Sequence, residues 1–372
     1  MDVILSSRQG EWPFGPPSVT FRTDCPHLRP RTCPAFIMPG MFMYAGIDEA
    51  GYGPKFGPLV VGCAVIALER VPRGGVGEDG AMPDVWALLA RCVCRDLRDK
   101  KGRIAVNDSK KLRTAASGIT HLERGVLAFA ALAQREPAHI GDWLDALGER
   151  AHHDLASLPW YAPTDDDPWD ALPAKCTSGE IAIARSMLTH SATDAGVRVL
   201  DLGAAVVFED RFNEMVARTH SKAAMSFTFV SAHLKKLWDR FGDRDPVVVV
   251  DRQSGRTHYR ELLALCLPGA KATVIEESSA RSAYVFEAGR RRMTIRFEVE
   301  AEQAHLPVAL ASMISKYTRE LLMARFQRYF SRCAPQVKPT AGYGSDAQRF
   351  HAAIEPLLDE LAIAPSQLVR MS

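Results

Sequence analysis

The chain has 372 residues, 47% of them hydrophobic, and a formal net charge of +2. It is long enough to bury one large core or two modest ones, and too nearly neutral for composition alone to announce a nucleic-acid partner. No apolar run reaches the ~18 residues of a membrane span, and the eight cysteines have neither zinc-knuckle nor Cys-x-x-Cys spacing, so reduced thiols in a cytoplasmic protein are expected.

Residues 1 to 40 hold Pro13, Pro16, Pro17, Pro26, Pro30, Pro34 and Pro39. They lack the basic start and continuous apolar stretch of a secretory signal, and they read as a poorly ordered leader, with Met38, Met41 or Met43 as alternative starts. An apolar strand over 43 to 48 follows, ending in the adjacent acids Asp48 and Glu49, then a glycine-rich turn and a second apolar strand over 58 to 67. Neighbouring side chains on a strand point to opposite faces. The two acids therefore meet at one site only if the strand ends between them and the backbone bends, which Gly51, Gly53 and Gly57 would permit.

Residues 91 to 113 carry nine Lys and Arg against three acids and include the run Asn107-Asp108-Ser109-Lys110-Lys111-Leu112. With the later cluster Arg281, Arg290, Arg291, Arg292 and Arg296, they read as phosphate contacts. Between 114 and 213 the pattern is least readable. It holds Trp143, Trp160 and Trp169, and a helix-like stretch near 178 to 192. Asp165-Asp166-Asp167 lacks the ligand pattern of a calcium loop and reads as a solvated turn, and His152-His153-Asp154 reads as surface.

Phe227, Val230, Leu234, Leu237 and Phe241 recur at helical spacing, predicting one amphipathic helix over 212 to 241. It feeds a buried strand, Val247 to Val250, with Asp251 at its tip. Two further strands are expected over 272 to 276 and 293 to 299. Glu302 then precedes a long helix marked by Leu310, Ile314, Tyr317, Leu321 and Ala324, on which Ser312 and Lys316 share one side. Gly342-Tyr343-Gly344 follows near the C-terminus. Strands interleaved with helices argue for an α/β domain.

These landmarks, in this order, resemble the type 2 ribonucleases H, the ribonuclease HII and HIII family. The resemblance implies a ribonuclease H-like fold, a mixed central sheet flanked by helices, built from residues 41–113 and 214–372 and carrying 114–213 as a large insertion. It implies an endoribonuclease that cuts the RNA strand of RNA/DNA hybrids, leaving 5′-phosphate and 3′-hydroxyl ends, with Asp48, Glu49, Asp251 and Glu302 as catalytic and metal-holding carboxylates. Hard oxygen ligands favour two Mg²⁺ or Mn²⁺ ions. Gly51-Tyr52-Gly53 takes the place of the Gly-Arg-Gly element that senses the 2′-hydroxyl, the group that distinguishes RNA from DNA. Tyr343 would stack on the adjoining sugar, and Ser109, Lys110 and Lys316 would contact phosphates. Tyr52 in place of arginine departs from ribonuclease HII, while Glu302 and Phe56-Gly57-Pro58 lean toward HIII. The expected partner is therefore a hybrid or a ribonucleotide-containing duplex, and no membrane. A catalytically inactive hybrid-binding protein and a DNA-junction nuclease on the same fold are the rival classes.

Overall fold

The apolar run after Met41 forms the central strand β1 (Phe42–Ala50), which continues through both acids instead of ending between them. The expected break in the strand is therefore absent. β1 pairs antiparallel with β2 (Leu59–Leu68), and both are buried almost throughout, which is why they read as near-continuous apolar runs. The computed structural model describes residues 40–71, 82–99, 101–148, 155–252 and 255–371. The leader up to residue 39 and the His152-His153-Asp154 segment lie outside the described residues.

Two short parallel strands, β3 (Val93–Cys94) and β4 (Ile104–Ala105), form a minor sheet. The main sheet has seven strands. β5 (Val197–Val207) pairs with β2, and β6 (Val247–Asp251) lies parallel to β1. β7 (Lys271–Glu277), β8 (Arg281–Ala288) and β9 (Arg291–Glu298) complete the order β5-β2-β1-β6-β9-β8-β7, with β9 parallel to β6. β8 was not expected. It forms antiparallel ladders with both β7 and β9.

Helices cover both faces, giving the mixed α/β architecture expected. Early in the chain come α1 (Val85–Leu88), α2 (Ser109–Leu112), α3 (Thr120–Leu132), α4 (Ile140–Ala146) and α5 (Ser178–Ala195). They are followed by α6 (Glu209–Thr219), α7 (Lys222–Phe241), α8 (Arg260–Cys266), α9 (Leu306–Cys333), α10 (Gly344–Ile354) and α11 (Pro365–Leu368). One core, containing Tyr44, Val60 and Val249, packs against α3, α5 and α9. The other, containing Ile47, Val61 and Val250, packs against α6 and α7. The single helix expected over 212 to 241 is two helices. His220 ends α6 in the left-handed region at φ +50°, and the Ser221 hydroxyl caps α7 by accepting from Ala224 N.

α9 lies directly on β1 and β2 because two strand positions lack side chains. A Cβ on Gly46 would sit 2.2 Å from the Pro307 carbonyl carbon, and one on Gly62 would sit 2.4 Å from Ser315 Oγ.

Many of the basic residues in both clusters are ion-paired within the fold. Arg91 pairs with Asp194, Arg103 with Asp99, and Arg113 with Glu320. Arg281 pairs with Glu276, Arg291 with Asp239, and Arg292 with Asp245 and Glu287. Asp167 is likewise no mere solvated residue: it pairs with Arg328 and Arg332 on α9, whereas Asp165 and Asp166 are exposed. The six described cysteines are free thiols. No helix among the described residues is long and apolar enough to cross a membrane.

Candidate active site

Parallel pairing sets Ile47 beside Val250, so the residues that follow, Asp48 and Asp251, lie side by side toward the carboxyl end of β1 and at that of β6. In α/β sheets such ends border the ligand crevice. Alternation puts Asp48 on the face of Tyr44, under α9, and sends Glu49 toward the face of Ile47. Glu302 arrives from the single turn Ala301–Gln303 between β9 and α9.

α9 supplies the supports. The Ser315 hydroxyl donates to the Asp48 carbonyl oxygen at 3.0 Å. Ser312 hydrogen-bonds the Asp48 carboxyl and is joined to the Ser109 hydroxyl at 3.0 Å. Asp48 Oδ1 accepts from Glu49 N at 2.7 Å, and Asp251 Oδ1 from Ala301 N at 2.9 Å.

Burial, reinforced by the neighbouring Glu49 charge, pushes the Asp48 carboxyl well above the usual carboxylate range, and Glu302 adds to the effect. Asp251 is pushed up to about 8, by burial first and then by Asp48. Like charges gathered in a desolvated site hold protons unless a cation replaces them. The buried Glu302 Oε2 has no hydrogen-bond partner, and such an atom calls for a donor or a cation. The donor set is all carboxylate oxygen, which fits Mg²⁺ or Mn²⁺. Among the described residues, though, no three His, Cys, Asp or Glu side chains are gathered in the arrangement that would hold a metal ion as they stand.

The turn from Gly51 to Pro58 is braced from behind by buried charged groups. Arg319 donates to the carbonyls of Pro58 (2.8 Å) and Phe56 (2.9 Å). Glu209 accepts from Gly57 N and from the Tyr161 hydroxyl, both at 2.8 Å. Gly57 needs its glycine. Its φ is +86°, and a Cβ would lie 2.3 Å from Arg319 Nη1. Nothing comparable constrains Gly53, around which a Cβ meets open space. Lys55 N donates to Gly342 O at 2.8 Å, docking the Gly342-Tyr343-Gly344 element against this turn.

The carboxylates at the strand ends, the glycine turn and the Gly-Tyr-Gly element thus form one surface. Neither the family models nor the curated proteins include a match to the sequence. Among solved structures, the chain is similar to the ribonuclease H2 from Pyrococcus horikoshii, at 17% identity over 88% of this chain and 92% of that one, with a TM-score of 0.42. It is similar to Bst-RNase HIII, solved in complex with Mn²⁺, at 14% identity over 89% and 67%, with a TM-score of 0.37. A third is the RNase HII of a PCNA complex from Archaeoglobus fulgidus, at 16% identity over 89% and 94%, with a TM-score of 0.33. All three are type 2 ribonucleases H.

The remaining sequence candidates are placed unevenly. Gly51 is buried, Tyr52 half-buried and Gly53 exposed. Ser109 is buried and faces Ser312, whereas Lys110 is exposed. Lys316 is ion-paired with Glu320 at 2.8 Å. Tyr343 is 45% exposed, so it is no core tyrosine, and the Arg319 guanidinium lies 5.9 Å from its ring centroid.

Sequence reasoning passed over several residues that the fold brings here. Ser315 and Arg319 continue the line of Ser312 at helical spacing, a polar stripe on an otherwise apolar helix. Glu298 ends β9 beside Asp251, where His305 holds it at 2.8 Å; it carried the same strand-then-acid signal as Asp251. Tyr259 and Arg256 share with Asp251 the lining of a cavity of about 10 Å³. Their loop offered no period to read.

Proposed function

We propose that the chain is an endonuclease that hydrolyses phosphodiester bonds in the RNA strand of RNA/DNA hybrids, leaving 5′-phosphate and 3′-hydroxyl ends. The observation that carries this is the convergence of Asp48 and Asp251 on adjacent parallel strand ends, with Glu302 as an electrostatic neighbour of both and a glycine turn two residues beyond Glu49. Asp48, Asp251 and Glu302 would hold Mg²⁺ or Mn²⁺, with Glu49, whose charge acts on Asp48 from the other face of β1, completing the set; the ion when bound supplies Lewis-acid activation of water and charge neutralisation at the phosphate. Ser312 and Ser315 hold Asp48 in place from α9. Ser109 acts behind Ser312, as its burial supports. Lys110, Lys316 and Tyr343 flank the path of the duplex, and the Gly51-Tyr52-Gly53 backbone faces the ribose.

Three end-labelled substrates test the reading, each with Mg²⁺ and with Mn²⁺: a continuous hybrid, a DNA duplex holding one ribonucleotide, and an all-DNA junction. Cleavage of the hybrid without the junction is expected. Cutting the junction alone would overturn the assignment, and binding of the hybrid without any cutting would make the chain a hybrid-binding protein.

A further inference from the structure

Arg370, just beyond α11, is only 2% exposed, yet it carries a full guanidinium into the molecule. Burying such a group is costly unless its donors are satisfied. Its two Nη groups are satisfied by the glycine turn, while Nε has no partner among the described residues. Nη1 donates to the carbonyls of Gly51 and Gly57, and Nη2 donates to the carbonyl of Tyr52 at 2.9 Å. The Arg370 backbone N–H donates to Lys55 O at 2.8 Å, and the guanidinium lies 3.8 Å over the Phe212 ring. Asn213 pins the segment on both sides, donating to Val369 O and accepting from Met371 N.

A trans peptide plane points its N–H opposite to its C=O. With the Gly51 and Tyr52 carbonyls held inward by Arg370, the N–H groups of Tyr52 and Gly53 point away from it. Neither makes a hydrogen bond among the described residues. Two successive outward N–H groups form an acceptor-binding concavity, and this one lies three to four residues past Glu49. Without the guanidinium fork these peptide planes would be free to turn over, because Gly51 and Gly53 restrict the backbone little.

We infer that Arg370 is a positioning residue for substrate choice: by clamping three turn carbonyls it fixes the Tyr52 and Gly53 N–H groups toward the site, where they donate to a ribose 2′-hydroxyl oxygen. The inference rests on the proposed hybrid-cleaving function. Lysine cannot replace the guanidinium, since a point charge lacks the planar fork that spans separate carbonyls.

The test is equilibrium binding, by fluorescence anisotropy, of an RNA/DNA hybrid and an all-DNA duplex of equal sequence, in a D251N background that prevents turnover. The D251N parent is expected to prefer the hybrid. Adding R370Q should reduce that preference about tenfold and leave the affinity for the DNA duplex unchanged. R370K, which keeps the buried charge, takes the place of R370Q should that variant not fold, and it should lose most of the preference. Unchanged preference in either folded variant, or equal loss of affinity on both duplexes, overturns the inference. A D251N parent with no preference for the hybrid would overturn the substrate reading instead.

Discussion

At the scale of single residues, the site depends on charges that are unfavourable by themselves. Asp48 is raised by burial and the Glu49 charge, and Asp251 by burial and Asp48, so replacing either by Asn removes an ionisable group without removing volume. D48N and D251N are expected to fold at least as stably as the parent and to lose cleavage by a factor of ~10³ or more, as seen when electrostatic groups at reaction centres are removed; thermal melts and single-turnover rates check both halves. A second buried acid gives a prediction about stability. Burial pushes Glu209 up to about 7 from an ordinary value of 4.5. The folded chain therefore holds an extra proton between pH 4.5 and 7. The associated stability is fully present below pH 4.5 and is lost as pH rises to 7. The loss is on the order of 3 kcal/mol, so urea unfolding of E209Q should gain on the parent by about that amount between pH 4.5 and 8. Parallel pH profiles for the two proteins would contradict it.

At the scale of elements, the contact of α9 with β1 and β2 places Ser312, Ser315 and Arg319 over the site. Gly46→Ala drives a Cβ into the Pro307 backbone, which cannot step aside as a side-chain tip can. We expect G46A to lose more than about 2 kcal/mol in urea unfolding and to lose cleavage with it; near-parental stability would mean that α9 is not seated as described. The strands that deliver the acids were legible because each is a short apolar run ending in a carboxylate. The glycine turn was legible because its glycines cluster. The break between α6 and α7 was hidden because the apolar spacing resumes after it, while the left-handed His220 is a residue that gives little sign of a stop. β5 was hidden because its apolar run is interrupted by Asp201, which only the fold explains: Arg135, Lys236 and Arg240 gather around it from other elements. Glu209 and Arg370 were illegible for the same reason, since their partners are turn carbonyls and N–H groups distant in sequence.

At the scale of the whole molecule, charge is spent mostly on internal pairing. The arginines of the β7–β9 region are engaged with Glu276, Asp239, Asp245 and Glu287, so R291A and R292A should leave hybrid affinity and its salt dependence unchanged. The exposed Lys110 is different. If it contacts a phosphate, K110A should reduce the slope of log K against log salt by about one, and an unchanged slope would remove it from the duplex path. The sheet brings acids from β1, β6 and the turn after β9 to one edge, and a turn braced by Arg319, Glu209 and Arg370 lies beside them. Cleavage of an end-labelled RNA strand within an RNA/DNA hybrid, by the parent and by D251N side by side in Mn²⁺, tests that assembly most directly. The expected result is cleavage by the parent to fragments ending in 3′-hydroxyls, with D251N inert yet still binding the hybrid. Equal cleavage by both proteins, or a parent that leaves the hybrid intact, would contradict it.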